Sequence, residues 1–510
     1  MQASVTRKSS SSTVAPRALA GGERRAPRAR LLEAFIFYSL LALVALTSIP
    51  YGSNEDWWEA LFECAVFALT ALWIIQGLLA GGWRFPERRL FLPLVALVLF
   101  SVLQSVPLSG RAGAGGGYGP AWQTISADAY ETRLFALRLL ALTFALWILL
   151  SYTRSERRVR ALIYIVLGIA VASALFGILR QATGGHASLL ILPRLKPWEG
   201  YAQFVNRNHF AFLMEMALGL VFGLLAGGGV RREQWLVYAG VILPLWTALM
   251  LSTSRGGLLS ALAELLIVAL FWKSFRAERP YKESEDGWRG FMSRLSSSRV
   301  VRAALILLLV GGVLLSIVWI GGEPMVSRFE TVSGDLESEG RYGASRMEVW
   351  RATWKLIESH PFAGSGFGGY WIAITPYHNA SGFYTPQRAH NDYLEILAGG
   401  GLIGACLAAW FFYELARRMR MRLRSADAGA RAASFGAAVG LFGVGLHSIF
   451  DFGLHITANA LICIVLISIA TAHIPPEGNM TKERRPHAKS RRRSHAGEAT
   501  SENPRLQTTL

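Results

Sequence analysis

Short polar clusters interrupt an otherwise apolar chain and carry the residue types that group transfer needs. They are Asn206-Arg207-Asn208-His209, Ser252-Thr253-Ser254-Arg255, His390-Asn391-Asp392-Tyr393, and the stretch from His447 to Asp451 with His455 after it. Each stands at the start of an apolar run of helical length, which places each at or beside a helix N-terminus. There, unpaired backbone N–H groups and the positive end of the helix dipole favour anions. Converging on one face with Arg207, Arg255, Arg341, Arg346 and Arg388, these termini would suit a phosphate or diphosphate group. A histidine at such a terminus is kept neutral by the dipole, so His390 is a candidate base for an acceptor hydroxyl. One ring nitrogen would face the donor and the other would be held by the preceding loop or by Asp392.

Plainer readings stand beside these. Ser, Thr, Asn and Asp before a helix are ordinary N-caps, and one arginine at a membrane boundary commonly anchors headgroups. His209 and His455 serve equally well as structural hydrogen-bonders. His390 stands apart because its pattern continues through Asn391 and Asp392 to Gly399-Gly400-Gly401. The run Gly364, Gly366, Gly368, Gly369 follows no strand and lacks a P-loop lysine, so it reads as a flexible turn. Asp335, Glu337 and Glu339 lack the spacing of a cation site at a helix end and read as solvated loop charge.

The elements that must position these groups are membrane helices. The chain has 510 residues, of which 52% are hydrophobic and 17% charged, a balance a soluble protein of this size seldom has. Its apolar residues fall into runs of about 17 to 25 with few charges. About twelve such spans lie near 32–49, 60–80, 90–108, 133–152, 160–179, 209–227, 235–251, 256–272, 302–321, 393–415, 432–449 and 456–474. The first follows a long Ser/Arg-rich leader with no small-residue cleavage site after it, and is expected to be retained.

The net charge of +18 comes from arginines and lysines spread over tails and alternate loops rather than gathered in an aromatic-laced patch, which argues against nucleic acid. With the N-terminus in the cytoplasm, most basic residues fall inside, including Arg154, Arg157, Arg158 and the run Arg417 to Arg424, as the positive-inside rule requires. The acidic loop with Glu55, Asp56 and Glu59 then falls outside, as does the long loop 322–392.

Residues 1–30 and 476–510 read as disordered basic cytoplasmic tails able to touch anionic lipid, around a polytopic domain of residues 31–475. In the outer loop, Ser345 and Glu348 form a capping-box pattern, and Met347, Trp350, Trp354 and Ile357 mark an amphipathic helix near 346–358. Cys64, Cys406 and Cys463 lie within spans and support no disulfide framework or zinc cluster. Glu63, Arg138, Glu215 and Glu264 also lie within spans, where ionisable residues are costly and line cavities or pair.

Taken in order, these motifs resemble the O-antigen ligase and O-antigen polymerase superfamily of bacterial membrane glycosyltransferases. The matching stretches are Phe204 to Phe210, Ser254 to Gly257, Ser345-Arg346 with Trp350, Pro361 to Gly366, His390 to Glu395 leading into Gly401 to Gly404, and His447 to Phe452. The likeness runs from about residue 30 to 475. It implies an all-α integral membrane protein of about twelve transmembrane helices, GT-C-like, with a large periplasmic loop between helices nine and ten.

The resemblance also implies metal-independent transfer of a glycan from undecaprenyl diphosphate, without a cofactor, to a lipid or glycan acceptor at the periplasmic face of the inner membrane. Arg255 and Arg346 would match the diphosphate-binding arginines and His390 the essential histidine. Arg207, Asn208, His209, Arg341, Arg388, Asn391 and Asp392 would bind substrate. Ligase-type transfer is the first expectation; a polymerase of lipid-linked repeat units and a protein O-oligosaccharyltransferase share the motifs. A transporter or flippase would place its polar groups near the bilayer midplane on related halves, whereas these lie at the outer boundary and no repeat is visible.

Overall fold

The structure is a computed structural model, and it describes residues 27–52, 55–83, 85–107, 123–185, 192, 195–196, 200–230, 234–275 (272–275 by backbone only), 346–378 and 386–473. Among the described residues every regular element is helical; an isolated bridge between Tyr201 and Phe204 closes a turn. The long elements are α1 (Pro27–Thr47), α2 (Asp56–Leu79), α3 (Leu92–Gln104), α4 (Ala129–Tyr152), α5 (Glu156–Ala182) and α6 (Arg207–Ala226). They continue with α7 (Trp235–Leu251), α8 (Arg255–Phe275), α9 (Arg346–Ser359), α10 (Asp392–Leu423), α11 (Ala428–His447) and α12 (Thr457–Thr471).

Within the described residues every expected span has its helix. The span expected at 302–321 lies outside them, as do Arg341, Ser345, residues 322–345 and 379–385 of the outer loop, and residues 1–26 and 476–510 of the tails; residues 27–30, expected as tail, are the first turn of α1. Seven of the described helices are long and apolar enough to cross a membrane, and α7 and α12 are shorter apolar helices. At 13 residues, α3 reaches about 20 Å, short of a hydrocarbon core of roughly 30 Å. Among the described residues the chain is all-helical, and seven helices have the length and composition to cross a membrane, as a multi-pass membrane protein requires.

Helix α6 is the axis of the bundle. Nearly all its residues are buried, from His209 to Ala226, while α1, α2 and α10 turn large apolar side chains such as Phe35, Leu78 and Phe412 outward. Little hydrophobic force acts between helices in lipid, so close backbone approach and packing must hold them together. Gly219 and Gly223 of α6 meet Gly440 and Gly436 of α11: a Cβ at Gly219 would stand 2.5 Å from Gly440 N, and one at Gly223 2.2 Å from Gly436 Cα. This seam sets the tilt at which the ends of α6 and α11 bring their polar residues together.

Helix α10 is broken at Gly401 (φ 56°, ψ −156°), and the loop after α9 fills the break. Ser365 N–H donates to the Ala398 carbonyl at 2.8 Å and Gly366 N–H to the Gly399 carbonyl at 2.9 Å. In return the Leu402 and Ile403 N–H groups donate to the Pro361 and Phe362 carbonyls at 2.8 and 3.1 Å. Gln104 of α3 donates through Nε2 to both Ala363 O, at 2.7 Å, and Gly399 O, at 2.8 Å. The segment expected as a flexible turn is instead a docked clamp, because the backbone groups released by the kink need partners inside the protein.

The amphipathic helix is present as α9, but its inward face differs from the expected one. Val349, Ala352, Thr353, Leu356 and Ile357 are buried, while Trp354 is 53% exposed. The reason is a polar tether: Thr353 Oγ1 lies 2.7 Å from the Tyr370 hydroxyl and also donates to the Val349 carbonyl, which turns that edge inward.

Candidate functional site

The polar clusters meet at the N-terminal ends of α6, α8, α10 and α12. Asn206 caps α6 by accepting from the Asn208 N–H at 2.8 Å, and Asn391 caps α10 by accepting from the Tyr393 and Leu394 N–H groups, each at 3.0 Å. These local bonds follow from side-chain oxygens placed just ahead of a helix. The contacts between clusters are long-range. Arg207 donates to Thr253 Oγ1 at 3.0 Å, Ser254 Oγ donates to Asn208 Oδ1 at 2.9 Å, and the Asp392 N–H donates to the Ser448 carbonyl at 2.9 Å. Ser254 Oγ also accepts from the Gly257 N–H at 3.3 Å, which fixes the first turn of α8 and the half-buried Arg255 at its start.

Asp451, 1% exposed in the loop between α11 and α12, is the hub. Its Oδ2 accepts from Asn208 Nδ2 at 2.5 Å and lies 3.8 Å from an Arg346 Nη2. Its Oδ1 accepts from the Phe452 N–H at 2.9 Å and faces His390 Nδ1 at 3.5 Å and His209 Nε2 at 4.0 Å. Burial by itself would raise the Asp451 pKa, but the contact with His390 and the charges of His209, His390 and Arg346 hold it well below the usual carboxylate range. Asp451 is thus a fixed negative charge facing one arginine and two imidazoles.

The residue before His390 is held through both of its backbone polar groups. The Ala389 N–H donates to Glu395 Oε2 at 3.2 Å and the Ala389 carbonyl accepts from Trp350 Nε1 of α9 at 3.1 Å. His390 itself has φ 49°, and Thr253, at the start of the α8 cluster, has φ 54°. Left-handed backbone at non-glycine residues is uncommon, costs about 1–3 kcal/mol, and gathers at functional sites. Here it turns the His390 ring away from its own helix and toward the α11–α12 loop.

A second group lies beside the first. Arg388 pairs with Glu395 at 2.9 Å, and His455 Nε2 stands 3.4 Å from Glu395 Oε1 and 3.7 Å from Asp392 Oδ1. The expected partner of His390, Asp392, therefore faces His455 instead. Burial first, and then the charges of Arg388, Arg138 and His209, push the His455 pKa well below the usual histidine value. Arg138 pairs with Glu59 at 3.0 Å and donates to Thr457 Oγ1 at 3.1 Å and to the His455 carbonyl.

Deeper in the bundle, His447 Nδ1 lies 3.0 Å from Glu215 Oε2, with its ring stacked on Phe212. Glu264 is fully buried, and neither of its oxygens has a hydrogen-bond partner among the described residues. The four ionisable residues of the spans are thus not paired with one another as a set. Cys64 and Cys406 are exposed on helix surfaces, and Cys463 is partly covered; all three are free.

The structure brings together Arg207, Asn208, His209, Arg255, Arg346, His390, Asn391 and Asp392, and holds Arg388 at the rim on Glu395. Asn208 and Asn391 use their side chains within the frame. Sequence reasoning passed over Asp451 and Phe452 as individual site residues. The available signal was an acidic residue in a six-to-nine-residue gap between two apolar runs, where a charge needs a reason to be buried.

The arrangement combines a proton-accepting group oriented by a carboxylate with arginines and helix N-termini able to stabilise a departing anion. No curated protein matched the chain. Residues 239–409 match the family model described as O-Antigen ligase. That segment carries Arg255, Arg346 and His390 on α8, α9 and the approach to α10, and across it the chain is similar to the O-antigen ligase family.

Proposed function

We propose that the protein transfers a glycan from undecaprenyl diphosphate to an acceptor hydroxyl at the periplasmic face of the inner membrane, in the manner of an O-antigen ligase and without a metal. The observation that carries this reading is the approach of His390 Nδ1 to Asp451 Oδ1 at 3.5 Å, with Arg346 3.8 Å from the other carboxylate oxygen. A buried carboxylate on Nδ1 orients the ring and leaves Nε2 for the acceptor.

In the transfer, the acceptor oxygen forms a bond to the anomeric carbon while the bond from that carbon to the diphosphate oxygen breaks. The electron pair leaves with the diphosphate, and the acceptor proton passes to His390 Nε2. Asp451 stabilises the imidazolium that results. Arg255, Arg346 and Arg207 meet the charge growing on the diphosphate, which fixed donors do without reorganising; Arg341, outside the described residues, is assigned to the substrate by the sequence pattern alone. Asn208, His209, Arg388, Asn391 and Asp392 shape the walls against which donor and acceptor lie.

The test is incubation of the purified full chain with a glycan on undecaprenyl diphosphate and, separately, with lipid A core, a second lipid-linked glycan or an acceptor protein, in chelator. Mass spectrometry of the products should show the glycan on lipid A core. Product only on the lipid-linked glycan would make the protein a polymerase, and product only on protein an oligosaccharyltransferase. Absence of any transfer, or transfer lost to the chelator, would overturn the reading.

A further inference from the structure

The loop that presents Asp451 also places the next side chain, Phe452, among three imidazoles. Its ring centroid lies 4.9 Å from that of His390 and 4.9 Å from that of His209, at interplanar angles of 75° and 76°, and 6.1 Å from that of His455 at 67°. Edge-to-face contact is a preferred geometry between aromatic rings, and a cation within about 6 Å of a ring centroid is attracted to its π electrons. The Phe452 backbone N–H holds the Asp451 oxygen that both His390 and His209 face. One residue thus touches the carboxylate through its main chain and both imidazoles through its ring.

Two imidazoles thus face one carboxylate oxygen. With Arg346 already 3.8 Å from Asp451, a proton on each ring would set three positive groups around one negative charge. The His390 side chain is 22% exposed and that of His209 8%, so His390 is the ring a substrate can reach.

We propose that Phe452 is a positioning residue for the transfer: it holds His390 and His209 apart on Asp451 Oδ1, and its π electrons stabilise the imidazolium formed on His390. The inference rests on the transfer reading for its purpose. Its geometry does not depend on that reading. The charged and titratable groups facing the rings are Asp451 and Arg346, His447 with Glu215 below, and His455 with Asp392, Glu395 and Arg388 beside it. All are kept when Phe452 is replaced.

The experiment compares Phe452→Leu and Phe452→Tyr in the purified full chain. Carbethoxylation of His390, read from its peptide by mass spectrometry, is followed without substrate from about pH 5 to 8, and kcat and KM for transfer are measured over the same range. Leu should lower the pH midpoint of His390 modification by about half to one unit and reduce kcat about three- to tenfold, with KM unchanged. Tyr should keep both near the native values. Phe452→Met provides the same comparison where Leu disturbs the loop.

A midpoint unmoved by Leu and Met, or moved equally by Tyr, overturns the proposal. A midpoint that depends on the ring in a protein that transfers no glycan would overturn the transfer reading and leave the placement of the imidazoles standing. Normal transfer with an indifferent midpoint would do the opposite.

Discussion

His390 and Asp451 come from different helix ends, yet Nδ1 of one faces Oδ1 of the other at 3.5 Å inside the bundle. His390→Gln keeps a hydrogen-bonding side chain but cannot accept a proton near neutrality. It should insert and bind donor normally while single-turnover transfer falls by on the order of a hundredfold or more. Asp451→Asn should also slow transfer, by about tenfold or more, because the imidazolium loses its counter-charge. A His390→Gln enzyme of near-native rate would end the base assignment.

Arg255 and Arg346 are expected to serve the diphosphate by charge and by the planar fork of the guanidinium. Alanine at either should abolish transfer without loss of membrane insertion. Lysine should restore little, since an ammonium cannot make paired hydrogen bonds to phosphate oxygens. Normal turnover and donor affinity in Arg255→Ala would return that residue to a headgroup anchor.

The two loop residues with shifted protonation predict how stability follows pH. His455 is held neutral, its pKa depressed, so its unfolded form takes up a proton below about pH 6.5 that the folded form refuses. The stabilisation this difference represents is full above that pH and is lost as the medium acidifies, by at most about 1.4 kcal/mol per pH unit for one proton. Asp451, depressed by its partners, keeps its contribution until the pH falls below about 4. Thermal unfolding from pH 7.5 down to about 5 should therefore show a declining midpoint that flattens in His455→Gln. An equal decline in both proteins would refute the assignment to His455.

Gly401 is where the break in α10 accepts the clamp from the outer loop. A Cβ there would stand 2.5 Å from Phe362 C and O and 2.7 Å from Gly364 N, at φ +56°. Gly401→Ala should cost about 1–3 kcal/mol and open the chain near 361–366 to limited proteolysis. Gly240→Ala is the control, because nothing lies within 4 Å of its Cβ position. Equal protease resistance in the two variants would show that the clamp tolerates the strain.

Orientation is tested by single cysteines at Ser338 and Ser425 in a chain lacking Cys64, Cys406 and Cys463. An impermeant reagent should label Ser338→Cys and spare Ser425→Cys in spheroplasts. The reverse pattern would put the polar face in the cytoplasm and remove the basis for a periplasmic donor.

Helix boundaries were legible in the sequence because they depend on neighbours. Apolar run length marks a span, and an Asn such as Asn206 or Asn391 marks its start through a bond to an N–H two or three residues on. Since those starts carry the polar clusters, the sequence by itself also determined that Arg255, Arg346 and His390 belong near helix N-termini. It did not determine which acid faces His390. Asp392 is nearest in the chain, yet the left-handed turn at His390 sends it toward His455 and points the imidazole at Asp451.

The inward face of α9 was decided by Tyr370 and the clamp role of Pro361 to Gly366 by a kink at Gly401, each a partner distant in sequence. Tertiary structure alone decided these points. They depend on where the ends of α6, α8, α10 and α11 meet, and that is set by side-chain and glycine packing along whole helices, which no local pattern encodes.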